Sequence, residues 1–248
     1  MNPTSQFLRC LPVTLREEGG YSNDAGDPGG KTQWGITHGT YDAWRKRNSL
    51  PPRDVREITP DEMRLIYRAE YYDSIGADDL SPGPALSAFD VSVNSGPGKA
   101  RQFLNKVAYL PDAIARVHRI AAMRLSFLHA LGTWSRFGKG WGARVGRIEA
   151  TSVKWELAQR VISPPMASGI LIAEGNKAKA KSATLAKASA VPAAASAGTV
   201  LTNSPGGMSP WIIVAIIVAG VAVAGLVYLA SRRQSARGDA FLAVAKEV

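Results

Sequence analysis

Residues 16–37 constrain the fold most strongly, because they combine carboxylates, glycines and turn-forming residues in one short run. The apolar residues before this run repeat at helical spacing: Phe7, Leu8, Leu11 and Leu15. We therefore predict a helix that ends at Glu18, with Gly19 as its left-handed cap. Asn-Asp, Gly-Asp-Pro and Gly-Gly then follow as successive turn signals. The sequence predicts a carboxylate on a helix end, facing a glycine-rich hairpin loop.

The rest of residues 1–162 is predicted to be mainly helical, with room for a small hairpin near residues 21–37. Thr59 and Glu62, with Pro60 between them, form the pattern of a capping box at a helix start. Further helices are predicted from apolar periodicity over residues 39–47, 85–94, 99–107, 112–131 and 143–162, with a glycine-rich aromatic loop at 132–142. The first 15 residues lack the features of a secretory signal. This part of the chain is long enough to bury its own core.

Composition changes at residue 163, after which Ala, Lys, Ser, Gly, Pro and Thr dominate as far as residue 210. Such a tract buries too little apolar surface to offset the entropy of ordering it. We predict a flexible linker over 163–210, with an Ala/Lys helix near residues 177–190 as the alternative.

Residues 211–230 carry no charge and, as a helix, would span about 30 Å, the thickness of a bilayer core. Trp211 and Tyr228 stand near its two ends, and Arg232 and Arg233 follow directly. We predict a single transmembrane helix with a short basic tail over 231–248. The positive-inside rule places the tail in the cytoplasm and the N-terminal domain outside. The missing signal and the lysines of 163–210 oppose this, so topology stays open.

The net charge of +10 suits an acidic polymer or an anionic surface, and charge alone does not choose among nucleic acid, lipid and bacterial wall polymers. The basic residues form no stripe, which disfavours nucleic acid as the partner. The single cysteine, Cys10, has no intrachain partner and lies on the apolar face of the first helix. We interpret it as a small buried apolar residue.

Three residues of the opening stretch suit hydrolysis of a glycosidic bond, which needs a proton donor and a second group that attacks the sugar or positions water. Glu18 is the candidate acid. Asp27 is the candidate carboxylate opposite it, and the hydroxyl of Thr32 could orient a water molecule. A hairpin that returns to the helix end would bring all three around one cleft.

This spacing of Glu, Asp and Thr resembles that of phage-type lysozymes, whose last gap is usually one residue longer. The sequence is more similar to glycoside hydrolase family 108, the N-acetylmuramidases of phage endolysins and bacterial lysins. The matching blocks are Glu-Gly-Gly-Tyr (18–21), Asn-Asp (23–24), Asp-Pro-Gly-Gly-Lys-Thr (27–32), Gly-Ile-Thr (35–37), Tyr-Tyr-Asp (71–73) and Phe-Asp-Val-Ser-Val-Asn-Ser-Gly (89–96). The resemblance covers about residues 5–160 and is loose beyond residue 97. Ala25 stands where proline is common.

The resemblance implies a lysozyme-like domain with Glu18 as the essential acid, and water-handling roles for Asp27 and Thr32. Candidate substrate-binding residues are Tyr21, Trp34, Asp90 and Asn94. Tyr21 and Trp34 are equally well explained as core residues, and Asp90 and Asn94 either line the cleft or cap the break at Gly96. No cofactor or metal is expected, since the three histidines have no metal-ligand spacing.

The sequence thus predicts a muramidase tethered to the inner membrane by residues 211–230, with its catalytic domain on the wall side. It would cut peptidoglycan glycan strands in cell lysis or release, with a holin or secretion machinery as candidate partners. The rival hypothesis is a non-catalytic wall-binding or phage structural protein on a muramidase scaffold. A DNA-binding membrane protein is a third. Inverting and retaining outcomes both stay open.

Overall fold

The computed structural model describes residues 3–23, 30–202 and 210–248, with side chains described for 5–23, 30–189 and 218–248. The α-helices are α1 (Pro3–Leu15), α2 (His38–Arg47), α3 (Pro60–Ile66), α4 (Pro82–Ser95), α5 (Pro97–Val107), α6 (Ala113–His129), α7 (Trp134–Leu157), α8 (Pro164–Thr202) and α9 (Pro210–Ala245). The strands β1 (Thr32–Gln33) and β2 (Ile36–Thr37) pair antiparallel. The predicted mainly helical fold with one small hairpin is confirmed.

The chain divides into two compact units. The first contains residues 1–131 and 151–160, and the second contains residues 132–150 and 161–248. The first unit holds the hairpin and helices α1 to α6, and the second holds α8 and α9.

An aromatic cluster forms the centre of the first unit. Phe89 of α4 is fully buried, and its ring lies 6.0 Å from that of Phe7 in α1 and 5.4 Å from that of Tyr72. Tyr67 contacts the same ring at 6.1 Å. Edge-to-face pairs of this kind add to the free energy gained from apolar burial. Helix α4 is thus the buried centre against which α1 and the Tyr67–Tyr72 segment pack.

The capping box predicted at Thr59 is confirmed: the Thr59 side chain accepts from the Glu62 backbone, and the Glu62 carboxylate accepts from the Thr59 backbone. Glu62 also pairs with Arg45 at 2.7 Å and with Arg53. The start of α3 is therefore fixed both by its own cap and by cations that precede it in the chain.

The predicted loop at residues 132–142 is wrong, because α7 begins at Trp134. Its glycines do not prevent a helix here. A Cβ on Gly138 would collide with the Trp134 ring, so the glycine lets this indole lie flat along its own helix. Contact between aromatic side chains one turn apart offsets the low helix propensity of glycine.

The predicted flexible linker also differs from the structure, since α8 covers residues 164–202 and the Ala/Lys helix of the alternative forms part of it. Helix α8 packs antiparallel on α9. Gly175 and Gly238 face each other so closely that a Cβ on Gly238 would lie 2.9 Å from the Gly175 carbonyl oxygen. Ser182 and Ser231 donate to each other's carbonyl oxygens at 2.8 Å. Ala-rich composition favours the helix, and the glycines permit the close packing.

Residues 211–230, predicted as a transmembrane helix, lie within α9. Among the residues that the structure describes, no helix has the length and apolar character needed to cross a membrane.

Cys10 is fully buried, as predicted, and burial raises the pKa of its thiol from 9.0 to about 12. The reactive thiolate should thus be about 1,000-fold scarcer near neutral pH in the folded than in the unfolded chain. We expect iodoacetamide to label the native protein at least that much more slowly than the urea-unfolded protein. The chain has one cysteine, so mass spectrometry of the intact protein reports this site alone. Equal labelling rates would show that α1 opens readily.

Candidate active site

Glu18 lies three residues beyond the end of α1, on a tight turn. The amides of Glu17 and Glu18 donate to the carbonyl oxygens of Thr14 and Leu15 at 3.0 and 3.2 Å. Gly19 is not among the described glycines with positive φ, so the predicted left-handed cap is wrong. Short-range hydrogen bonds of the 3₁₀ type close the helix instead. Glu18 is thereby held half-buried near a rigid helix end.

The hairpin turns through Trp34 and Gly35, whose φ angles of 49° and 72° are both positive. Thr32 pairs with Thr37 and Gln33 with Ile36, which leaves a two-residue loop. Two positive φ angles in such a loop are typical of a type I′ turn, which normally prefers Asn-Gly. A tryptophan at the first position is strained. The Tyr67 hydroxyl donates to the Trp34 carbonyl oxygen at 2.6 Å and so supports this conformation.

Gly35 brings the hairpin tip against the Glu18 carboxylate. A Cβ built on Gly35 would lie 2.9 Å from Glu18 Oε2 and 3.1 Å from Tyr67 Oη. Glycine is therefore required twice at this position, for its backbone angle and for the space it leaves. The Glu18 carboxylate and the Tyr67 hydroxyl thus both lie next to Gly35 at the hairpin tip.

A π-helical turn over Tyr67–Tyr72 supplies a second tyrosine to this region. The rings of Tyr67 and Tyr71 are 5.5 Å apart, and Tyr71 is half-buried. Burial raises the pKa of the Tyr71 hydroxyl, a hydrogen bond with Thr40 opposes that shift, and the negative charges of two glutamates add to it. Glu18 is one of these glutamates, so Tyr71 lies within electrostatic reach of the candidate acid. Single π-helical turns frequently occur at functional sites.

Sequence analysis missed both tyrosines as site residues. In the sequence, Tyr71 stands out only as part of the block at 71–73 that resembles family 108, and Tyr67 has no local signal of its own. Their spacing of four residues fits an ordinary α-helix, and nothing in the local sequence indicates the π turn. Their relation to Glu18 depends on contacts across more than 30 residues, as the separation of Tyr67 and Trp34 shows.

Thr32 stands in β1, on the same hairpin as Gly35. Its backbone forms two hydrogen bonds with Ser22, at 2.8 and 2.9 Å, and its hydroxyl donates to the Gly30 carbonyl oxygen at 3.1 Å. Lys31 beside it pairs with Asp54 at 2.6 Å. The hairpin that carries Thr32 is thus tied both to the segment after Glu18 and to the segment before α3. Asp27, the predicted second carboxylate, lies outside the described residues.

The two aromatic candidates for substrate binding are both half-buried. The Arg56 guanidinium lies 4.2 Å from the centre of the Tyr21 ring, so one face of this ring is already covered. Trp34 occupies the hairpin turn, where its backbone is fixed by Tyr67. A sugar-stacking role stays a prediction for both.

Asp90 and Asn94 belong to a different environment. Asp90 is fully buried in α4, and its carboxylate accepts from Arg124 of α6 at 2.5 Å. Arg124 is 2% exposed and also donates to the amide oxygen of Asn94, at 3.2 Å. Asn94 is exposed. Because the Asp90 carboxylate is enclosed by protein, we assign it to packing between α4 and α6 and leave it out of the proposed substrate site.

The protein-family model for glycosyl hydrolase 108 matches residues 11–96. This range contains Glu18, the hairpin and the tyrosine pair. No curated protein matches the chain significantly. Among solved structures, SagA of Brucella abortus is 31% identical and superposes with a TM-score of 0.56, over 62% of this chain and 97% of that one. The chain therefore belongs to the glycosyl hydrolase 108 family.

Proposed function

We propose that the protein is a muramidase, which hydrolyses the bond between N-acetylmuramic acid and N-acetylglucosamine in peptidoglycan with Glu18 as general acid. The observation that carries this proposal is the meeting of Glu18, Gly35 and Tyr67. A carboxyl group held half-buried beside a rigid hairpin tip has the fixed position that proton transfer to a leaving oxygen requires. Membership of the glycosyl hydrolase 108 family supports the reaction class.

The remaining steps are assigned to neighbouring groups of the hairpin. Glu18 protonates the glycosidic oxygen as the bond to the sugar breaks, and water then completes hydrolysis. Thr32 is proposed to orient this water through its hydroxyl group. Asp27 is proposed as the carboxylate that activates it, on the strength of the sequence alone.

Digestion of purified sacculi tests the proposal. We expect the released fragments to carry reducing N-acetylmuramic acid ends, which borohydride converts to N-acetylmuramitol and mass spectrometry identifies. Reducing N-acetylglucosamine ends would indicate a different glycosidic bond. Sacculi that retain the protein without any release of fragments would favour the rival hypothesis of a non-catalytic wall-binding protein.

Gly35→Ala should lower the rate of this hydrolysis by about 10- to 100-fold, because the new methyl group displaces the Glu18 carboxylate and a misplacement of about 1 Å can have this effect. The positive φ should also destabilise the fold by about 1–2 kcal/mol. Initial rates on sacculi and urea unfolding measure the two effects.

Gly76→Ala is the matched control for the backbone effect. Gly76 has a φ of 64°, close to that of Gly35, but a Cβ there meets nothing nearer than Asp79 Oδ2, at 3.8 Å. We expect a similar loss of stability with hydrolysis unchanged. Equal losses of activity in both variants would mean that general destabilisation, and not displacement of Glu18, explains the Gly35 result.

We further propose that residues 211–230 tether the protein to the inner membrane. The uncharged run of the sequence supports this. In the described half of this run, large apolar side chains are exposed, among them Val218, Val221, Val223, Leu226 and Leu229. Protease protection in spheroplasts tests the topology, and carbonate extraction tests the tether. Release of the protein from membranes by carbonate would contradict the tether.

The corresponding cellular role is cell lysis, or the release of cargo through the wall, together with a holin or a secretion machinery.

A further inference from the structure

An aromatic row opens helix α7 in the second unit. Trp134, Phe137 and Trp141 follow one another at spacings of three and four residues. Their rings are in contact, with centroids 6.2 Å apart for the two tryptophans and 5.6 Å apart for Phe137 and Trp141. Phe137 is 43% exposed, which is unusual for so large an apolar side chain. The reaction proposed above makes no use of this row.

Trp134, the first residue of this row, lines a groove of about 670 Å³ between α7 and α9. We call it the basic aromatic groove. Its wall on α7 includes Trp134 and Lys139, and its wall on α9 includes Tyr228, Leu229, Arg232, Arg233 and Asp239. All of these residues belong to the second unit.

The groove has more positive charge than its own carboxylate can neutralise. In the part of the chain that the structure describes, no ion pair is formed by Lys139, Arg232 or Arg233. The Arg233 guanidinium lies 4.6 Å from the centre of the Trp134 ring, and its Nε has no hydrogen-bond partner among described residues. Asp239 is engaged by Lys179 at 2.5 Å. The basic aromatic groove therefore has a net positive charge, which suits an anionic ligand.

The position of the groove on α9 indicates which anion fits. Tyr228 and Leu229 end the uncharged run, and both side chains are exposed, at 51% and 44%. Arg232 follows within one helical turn. Apolar surface, then aromatic rings, then cations is the order met on passing from the acyl chains of a bilayer to its headgroups.

We propose that the basic aromatic groove binds the headgroup of an anionic phospholipid, with its phosphate held by Lys139, Arg232 and Arg233. The aromatic side chains would lie at the level of the headgroups, and the exposed side chains of α9 would contact the acyl chains. Inorganic phosphate or an anionic wall polymer would use the cations but not the neighbouring apolar surface. This inference rests on the proposed tether and is independent of the proposed hydrolysis.

Vesicle flotation with the full chain tests the inference. We expect vesicles of phosphatidylcholine with phosphatidylglycerol to bind the protein about 100-fold more tightly than vesicles of phosphatidylcholine alone, since each basic residue near an anionic surface contributes about 1 kcal/mol. The variant Lys139→Gln/Arg232→Gln/Arg233→Gln should lose this preference. The matched control is Lys177→Gln/Lys181→Gln/Lys187→Gln, which removes the same amount of charge from exposed positions of α8. This variant should keep most of the preference for vesicles that contain phosphatidylglycerol.

A second readout does not depend on the charge variants. Brominated phosphatidylglycerol should quench the tryptophan fluorescence of the wild type. This quenching should fall in Trp134→Phe/Trp141→Phe but not in Trp44→Phe, which removes an indole of the first unit that is 7% exposed.

The headgroup site alone would be overturned by equal binding to both kinds of vesicle, or by an equal loss of the phosphatidylglycerol preference in the two triple variants. Absence of binding to any vesicle would overturn the site and the tether together. Binding to sacculi that survives excess anionic vesicles would assign the groove to a wall polymer. Fragment release from sacculi, measured on the same samples, reports separately on the proposed hydrolysis.

Discussion

Glu18→Gln should lower the rate of peptidoglycan hydrolysis by about 10²- to 10⁴-fold, the usual contribution of a general acid. Glutamine keeps the shape of the side chain but carries no proton that it can donate to a glycosidic oxygen. The Glu18 side chain is half-buried and occupies the space that Gly35 leaves open by having no Cβ. An amide of the same shape should therefore preserve the packing of the hairpin tip. We therefore expect an intact fold with greatly reduced activity.

Glu17→Gln is the matched control, since it removes the same charge from the neighbouring residue on the same turn. Initial rates of N-acetylmuramitol-containing fragment release, with circular dichroism and thermal unfolding on the same samples, measure both expectations. A Glu18→Gln protein that digests sacculi at the wild-type rate would show that another group supplies the proton. An equal loss in both variants would instead indicate a general electrostatic effect of this turn.

Arg124→Met should destabilise the first unit by about 3–5 kcal/mol, because it removes the guanidinium group that pairs with the buried Asp90 carboxylate. Asp90 is fully buried and Arg124 is 2% exposed, so water replaces little of the lost interaction. Urea unfolding measures the loss in the free energy of unfolding. Hydrogen exchange of the α4 and α6 amides shows whether protection falls in the two helices that the pair joins.

Arg160→Met is the control for this prediction, since it breaks an Arg–Asp pair of nearly the same length, 2.6 Å to Asp112, that is half exposed. Such pairs contribute at most about 1 kcal/mol. The double variant Asp90→Leu/Arg124→Met should recover most of the stability lost by Arg124→Met, because it leaves no buried charge unpaired. Similar unfolding curves for Arg124→Met and Arg160→Met would contradict a structural role for the buried pair.

Local signals in the sequence accounted for much of the first unit. The capping box at Thr59 was predicted from four consecutive residues, because its partners are neighbours in the chain. Helices α2, α4, α5 and α6 follow apolar periodicity, and the glycine-rich stretch correctly placed a hairpin near Glu18. Predictions failed where composition was ambiguous. Glycines suggested a loop at the start of α7, and small polar residues suggested a linker where α8 forms, since packing partners decide such segments.

The sequence by itself determined where the candidate acid lies, which segments are helical around it and where the chain must turn, since these depend on residues close together in the chain. Only the tertiary structure decided what surrounds that acid. The Tyr67 hydroxyl stabilises the strained backbone of Trp34, which lies 33 residues earlier in the chain. The Asp90 carboxylate is buried because it pairs with Arg124, which lies 34 residues later. The free energy of such contacts comes from packing and burial between distant segments, which neither periodicity nor local motifs encode.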